Sequence, residues 1–268
     1  MSRGHVELVH APQIEAVELP ANGWGAGPTA KVLSADPVSG ALSALVMLPA
    51  GYRRPAGSVS GLVESLVIDG TLSIGGTQRG FGFYECVPGG GAHEDWSTET
   101  GATLLLFARE RSPDFTPGEG GDPRAGRIAI DSETLAWSYS TIPGPPDGHV
   151  HKILRRVERT GEMTILLSTV PHREYPALEF HDCVEEYFVI EGGVWLGNSG
   201  QMGPGSYFWR PPFITHGPFH SATGGVSVVW VPSTLVNHVP AGPGSTPEEN
   251  LAAYVRAGGR RVMGPGAG

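Results

Sequence analysis

The sequence predicts an all-β protein made of two copies of one unit. Three observations carry this. First, 268 residues include 40 glycines and 24 prolines, about twice ordinary usage, so turns are frequent and long helices few. Second, the apolar residues, 40% of the chain, fall in short runs rich in β-branched and aromatic side chains and rarely at helical spacing. Third, three segments recur in the same order. Lys31 to Gly40 matches Lys152 to Gly161, VESLVIDG ending at Gly70 matches EEYFVIEG ending at Gly192, and Gly82 to Pro88 with His93 matches Gly205 to Pro211 with His216. The offsets drift by one residue at each step, from 121 to 123. Matches at a near-constant period are the signature of a duplicated unit.

Each unit reads as six to eight short strands. Val63–Ile68 and Glu185–Ile190 are β-rich runs closed by a glycine. LSALVMLP and MTILLSTVP precede them, and TGATLLLFARE and TGGVSVVWVP, each opened by Thr-Gly, read as matched closing strands. The expected boundaries are a first unit over 1–115, a connector over 116–147 and a second unit over 148–268. Arg111–Gly126 holds four glycines and three prolines and reads as a mobile link. One helix is expected near the end, with Thr246 as N-cap, Pro247 at its first position and Gly258 as its stop. The tail Val262–Gly268 is expected to fray.

Composition narrows function. The formal charge of −9 repels phosphate backbones, so no nucleic-acid partner is expected. No apolar stretch approaches the ~18–20 residues of a membrane span. The N-terminus lacks the basic head and apolar run of a secretion signal. Cys86 and Cys183 belong to no CxxC pair, which removes a thiolate zinc cluster. A cytoplasmic location follows as the expectation. Phosphate-binding GxxxxGK[ST] and GxGxxG loops and a GxSxG nucleophile turn are all missing.

Two segments resemble a known family. Glu179-Phe-His181-Asp-Cys-Val-Glu185, followed by six residues and Gly192, resembles the first motif of the cupins, a His-x-His pair, three or four residues, Glu, six residues and Gly. Gly205, Pro211 and His216 resemble the second, a Gly, a Pro and then a His. The likeness covers about residues 27–110 and 148–238. It implies a bicupin: two tandem double-stranded β-helix (jelly-roll) barrels with few helices, the first having lost its metal motif. The family hosts dioxygenases, decarboxylases, isomerases and non-enzymatic sensors, so the fold does not settle the reaction.

The residues agree with a site in the second unit. His181 and Glu185 flank a turn, and His216 arrives from a later segment. Two imidazoles and a carboxylate suit a divalent transition metal, with Fe(II) favoured over Mn(II), Ni(II), Cu(II) or Zn(II). Glu179 shares strand parity with His181 and so faces the same way. It stands where the family carries histidine, and two roles are open, fourth ligand or general base. His220 is a candidate second catalytic group, donating a hydrogen bond from behind the metal; a surface histidine is the plainer reading. In the first unit Gly57, Val59 and Val63 occupy the ligand positions and only His93 is kept, so that unit is expected to be metal-free. Glu64 matches Glu186, which argues that Glu186 is structural. The His149/His151 pair has no counterpart in the first unit, where Pro28 and Ala30 stand, and Cys183 is outside the motif; both are weak ligands. Arg210, next to Trp209, could neutralise a substrate carboxylate; an exposed strand charge is the plainer reading.

The resulting expectation is a metal-dependent enzyme using dioxygenase-type chemistry on a small organic substrate, aromatic or carbonyl-containing. An oxygen-independent isomerase, lyase or hydrolase with Glu179 as base is the first alternative, and a non-catalytic small-molecule sensor the second. Pairing into a homodimer is expected from the exposed strands common in such proteins.

Overall fold

The structure is a computed structural model that describes residues 3–19, 21–118, 121–123, 125–139 and 148–259. The expected frayed tail from Val262, and residues 140–147 of the expected connector, lie outside the described residues.

The described residues are all-β, as the sequence predicts, with one helix longer than four residues among them. It divides into two compact units, Met1–Gly4 with Ala11–Leu135, and His5–His10 with Ala136–Gly268. Each contains a seven-stranded sheet. In the first the order is Ile128–Asp131, Phe83–Val87, Val63–Gly70, Ala102–Ala108, Leu42–Leu48, Thr29–Ala35 and Val17–Glu18; in the second it is Val6–His10, Ser206–Arg210, Glu185–Gly192, Gly225–Ser233, Gly161–Thr169, His149–Val157 and Ser138–Tyr139. The orders are equivalent strand for strand. A four-stranded sheet accompanies each: Arg53–Arg54, Trp96–Ser97, Leu72–Ile74 and Thr77–Arg79 in the first unit, Arg173–Tyr175, Phe219–Ser221, Val194–Leu196 and Gly200–Met202 in the second.

The edge strands are exchanged along the chain. Val6–His10 precedes the first unit in sequence yet pairs with Ser206–Arg210 in the second. Ile128–Asp131 precedes the second unit yet pairs with Phe83–Val87 in the first. The boundary therefore does not fall at one point, and a reading by sequence blocks misses it because neither long-range pairing leaves a local signal.

Strand pairing fixes the correspondence between the repeats. His93 lies opposite Gly57, and His216 lies opposite Glu179. Arg54 lies opposite Trp96, and Tyr175 opposite Phe219. Gly70 and Gly192 close matched strands at φ 74° and 70°, in the left-handed region that glycine enters at no steric cost. The first core includes Trp24, Val46, Val67, Leu104, Leu106 and Phe115. The second includes Val189, Leu196, Met202 and Phe208.

Among the described residues of Arg111–Gly126, the stretch up to Pro117 is tied to the first unit rather than loose. Phe115–Pro117 pairs with Gly57–Val59, and Phe115 is 5% exposed in the first core. One buried aromatic anchors this part of the segment, and Pro117 lies within the strand itself.

The helix Pro247–Arg256 starts at Thr246, whose hydroxyl accepts from Glu249 N while the Glu249 carboxylate accepts from Thr246 N, a reciprocal cap. Its buried Asn250 donates to Phe213 O at 2.9 Å and to Thr215 Oγ1 at 2.8 Å. Tyr254 donates to Asp182 Oδ2 at 2.7 Å. The helix thus ties down the loop before His216 and the turn after His181. No helix among the described residues is long and apolar enough to cross a membrane.

Candidate metal centre

Glu179, His181 and His216 come together, all buried, with one potential ligand atom from each within 4.8 Å of the others. Backbone pairing puts them there. Glu179 N donates to His216 O and His216 N to Glu179 O, each at 2.9 Å. Phe180, between the two ligand candidates, points the opposite way and stacks on His238, as strand alternation requires.

Both imidazoles are oriented through the nitrogen that faces away from the cluster. His181 Nδ1 lies 3.0 Å from Val236 O, and His216 Nδ1 lies 3.0 Å from Ile214 O. A carbonyl only accepts, so each Nδ1 carries a proton, and in the neutral ring the lone pair is then on Nε2, the nitrogen that faces the cluster. This is how metal-binding histidines are held. His216 Nε2 is 3.6 Å from Glu179 Oε1, too far for a hydrogen bond. Two donors bound ~2.1 Å from one ion at tetrahedral angles stand about 3.4 Å apart. His216 Nε2 and Glu179 Oε2 are buried without a hydrogen-bond partner. Burial, with the nearby Arg210 and His181, holds the His216 pKa at about 3, and burial pushes the Glu179 carboxyl up. Orphaned lone pairs, a neutral imidazole and a carboxylate short of counter-charge fit a divalent cation.

Glu185 sits at the edge of this group. Its Oε2 is 3.6 Å from His181 Nε2 and 4.0 Å from His216 Nε2. It is also 3.8 Å from Arg210 Nη1, because Glu185 and Arg210 face each other across the strands. Arg210 is not an exposed strand charge: it is 1% exposed and also meets Glu7 Oε1 at 3.0 Å. The exchanged N-terminal strand brings in Glu7, so the sequence around Arg210 gave no sign of its burial.

His220 does not join the site. It projects outward, half exposed, 3.7 Å from Glu174. Counting strand parity from His216 fails because the turn at Gly217 and Pro218, with Gly217 at φ 98°, interrupts the alternation before Phe219–Ser221 begins. Cys183 is buried with Val231 and Leu235, and burial pushes its thiol to about 12, which keeps it a thiol. Glu186 is buried and accepts from the Tyr207 hydroxyl at 2.7 Å, a structural role.

The cluster opens on a cavity of about 70 Å³. Tyr187, Phe208 and Phe219 give it apolar walls, and Arg173, His149 and Asn237 add polar groups. Burial and the Arg173 charge hold the His149 pKa at about 3, so it is a neutral donor or acceptor. His149 belongs to the pair without a counterpart in the first unit; the signal was there and only the absence of a repeat match argued against it. Arg173 and Tyr175, at alternate positions of one strand, carried no motif.

In the first unit an arginine stands beside the matched histidine. Arg54 Nη2 is 2.7 Å from His93 Nδ1, and its guanidinium lies 3.9 Å from the Trp96 ring centroid and 4.2 Å from that of Phe115. Glu85 Oε2 lies 3.6 Å from His93 Nε2. Burial lowers the Arg54 pKa to about 10, still charged at neutral pH.

A family model described as a domain of unknown function (DUF4437) matches residues 7–236. No curated protein matches the chain by sequence. Among solved structures, a provisionally named dioxygenase from Nostoc punctiforme PCC 73102 is similar at TM-score 0.76 and 21% identity, over 87% of this chain and 86% of that one. A provisionally named glyoxylate-induced protein from Pseudomonas aeruginosa is similar at TM-score 0.61 and 15% identity, over 83% and 87%. A Trp-to-Phe variant of Bacillus subtilis oxalate decarboxylase is similar at TM-score 0.58 and 13% identity, over 86% and 78%. At these identities the likeness establishes the fold, that of the cupins.

Proposed function

The chain belongs to the DUF4437 family, and from that footing we propose that it is a metal-dependent cupin enzyme acting on a small organic substrate, with oxygenase chemistry as the leading reading. It is read as a bicupin in which the second unit holds the metal and the first is structural. His181, His216 and Glu179 would hold the ion, with Glu185 completing the set when it turns from Arg210. The observation that carries this is the pair of Nε2 lone pairs fixed by their Nδ1 bonds and aimed with Glu179 into one buried point. Fe(II) is the ion favoured, Mn(II), Ni(II), Cu(II) and Zn(II) being the other candidates. Bound there, such an ion supplies a Lewis acid and a place for substrate oxygens to gather. The name of the Nostoc protein supports the oxygenase reading by fold analogy alone.

The chain's own side chains would do the rest. Arg173, in the cavity wall, offers a guanidinium to a substrate carboxylate or carbonyl oxygen. Tyr187, Phe208 and Phe219 exclude water. Tyr175 lies beside Glu179, and burial and that carboxylate raise its hydroxyl pKa, so it stays a hydrogen-bond donor.

A second reading has its own support. Glu179 has one unpartnered oxygen and a raised pKa, the environment of a general base. An oxygen-independent isomerisation, elimination or hydrolysis would use it to move a proton while the substrate is polarised. The deciding experiment measures oxygen uptake and anaerobic turnover on metal-loaded protein. Metal- and substrate-dependent uptake, lost in His216→Ala, supports the oxygenase; undiminished anaerobic turnover selects the second reading. No metal retained by the wild type under any ion would end both.

A further inference from the structure

A second, larger hollow of about 390 Å³ borders the first. Glu179 and Asn237 line both, so the two spaces meet across these residues. Their chemistry differs. The inner space carries the metal cluster, Arg173 and His149. The outer one is walled mainly by Ala177, Leu178, Val239, Pro240 and Pro243. Val239 is 85% exposed, a large apolar side chain held open to solvent at the rim.

Size discriminates further. A cavity of roughly 150 Å³ accommodates benzene, so the inner space of about 70 Å³ admits only a few non-hydrogen atoms. The outer hollow takes a ring or a short alkyl chain. Resting on the proposed metal-dependent reading, we infer that the substrate is amphiphilic: a small oxygen-bearing head, carboxylate or carbonyl, enters the metal cavity, and an apolar tail lies in the outer hollow, with Glu179 and Asn237 at the junction. Specificity for the tail then comes from the segments 177–178 and 239–243, and reactivity from the inner cluster.

Two metal-chelating probes with one head and different tails test this. Full-length protein is loaded with Ni(II), and binding of acetohydroxamate and benzohydroxamate is measured by calorimetry. Burying a phenyl ring in the outer hollow is expected to make benzohydroxamate bind about ten-fold or more tightly. Ala177→Trp, which fills the hollow, and Val239→Asp, which charges its rim, are expected to abolish that preference. Nickel content and acetohydroxamate affinity should stay as in the wild type. Equal affinities of the wild type for the two probes, or a preference that survives both substitutions, overturns the inference while leaving the metal reading intact. A wild type that retains no nickel overturns the metal reading and this inference with it.

Discussion

His216 Nε2 faces Glu179 Oε1 at 3.6 Å, and the two residues also exchange both backbone hydrogen bonds. Backbone pairing therefore fixes a side-chain separation too long to be a hydrogen bond and too buried to be filled cheaply by solvent. Leaving a buried polar atom unsatisfied costs about 1–3 kcal/mol, and a cation between the pair would offset it. Adding a transition ion at ~100 times its dissociation constant should stabilise the protein by about 2.7 kcal/mol. Calorimetric melting should show that rise in the wild type and none in His216→Ala. A melting temperature indifferent to every ion from Mn(II) to Zn(II) would refute the site.

Glu179 and Glu185 should not contribute equally. Glu179 sits within the three-residue cluster, whereas Glu185 divides itself between the imidazoles and Arg210. Substituting Glu179→Gln is expected to weaken metal binding by about ten-fold or more, since a neutral amide replaces an anionic donor. Glu185→Gln should cost less. Competition titration against a chelating dye ranks the two, and the reverse order would return Glu185 to the role that its motif position suggests.

Much of this was legible in the sequence, for reasons that particular residues make clear. The repeat registers placed Gly57 against Glu179 and His93 against His216, and strand pairing reproduces both. Regular strands keep offsets, so aligned glycines and histidines carry three-dimensional information. Parity gave Glu179 and His181 a common direction because only Phe180 intervenes. The same argument failed for His220, since a turn lies between it and His216. Arg210 and the N-terminal edge strand were illegible because Glu7 and Val6–His10 lie some 200 residues before their partners, Arg210 and Ser206–Arg210. Arg173 and Tyr175 were missed because a cavity wall needs no spacing pattern.

Arg54 is the buried cation at the first unit's counterpart of the cluster. Its guanidinium contacts His93 and lies over Trp96 and Phe115, and Tyr175 holds the equivalent register position in the second unit. Arg54→Met would keep much of the volume and remove the charge. Losing the guanidinium leaves the buried His93 ring short of a hydrogen-bond partner, at a cost of about 1–3 kcal/mol. Denaturant unfolding should report a loss of that order. Metal content should not change, because the cluster of Glu179, His181 and His216 lies in the other unit. An undestabilised variant would mean that aromatic packing alone supports the site.

Acid should act on the second unit through His149. Burial first, and the Arg173 charge second, hold its pKa at about 3, against ~6.5 in the unfolded chain. Below pH 6.5 the unfolded state takes up a proton that the native state refuses until about pH 3. The unfolded state then binds more protons, so stability falls as pH drops through that window and is unaffected above it. Each such histidine contributes a slope approaching 1.4 kcal/mol per pH unit. His216, shifted the same way, adds its own share in metal-free protein. His149→Gln removes one titrating group and keeps a hydrogen-bonding side chain. Urea titrations of metal-free protein between pH 4 and 7 should therefore give a shallower acid limb for this variant, by about one proton. Identical limbs for the variant and the wild type would show that His149 takes up its proton in the native state, and hence that the cavity is wetter than its walls imply.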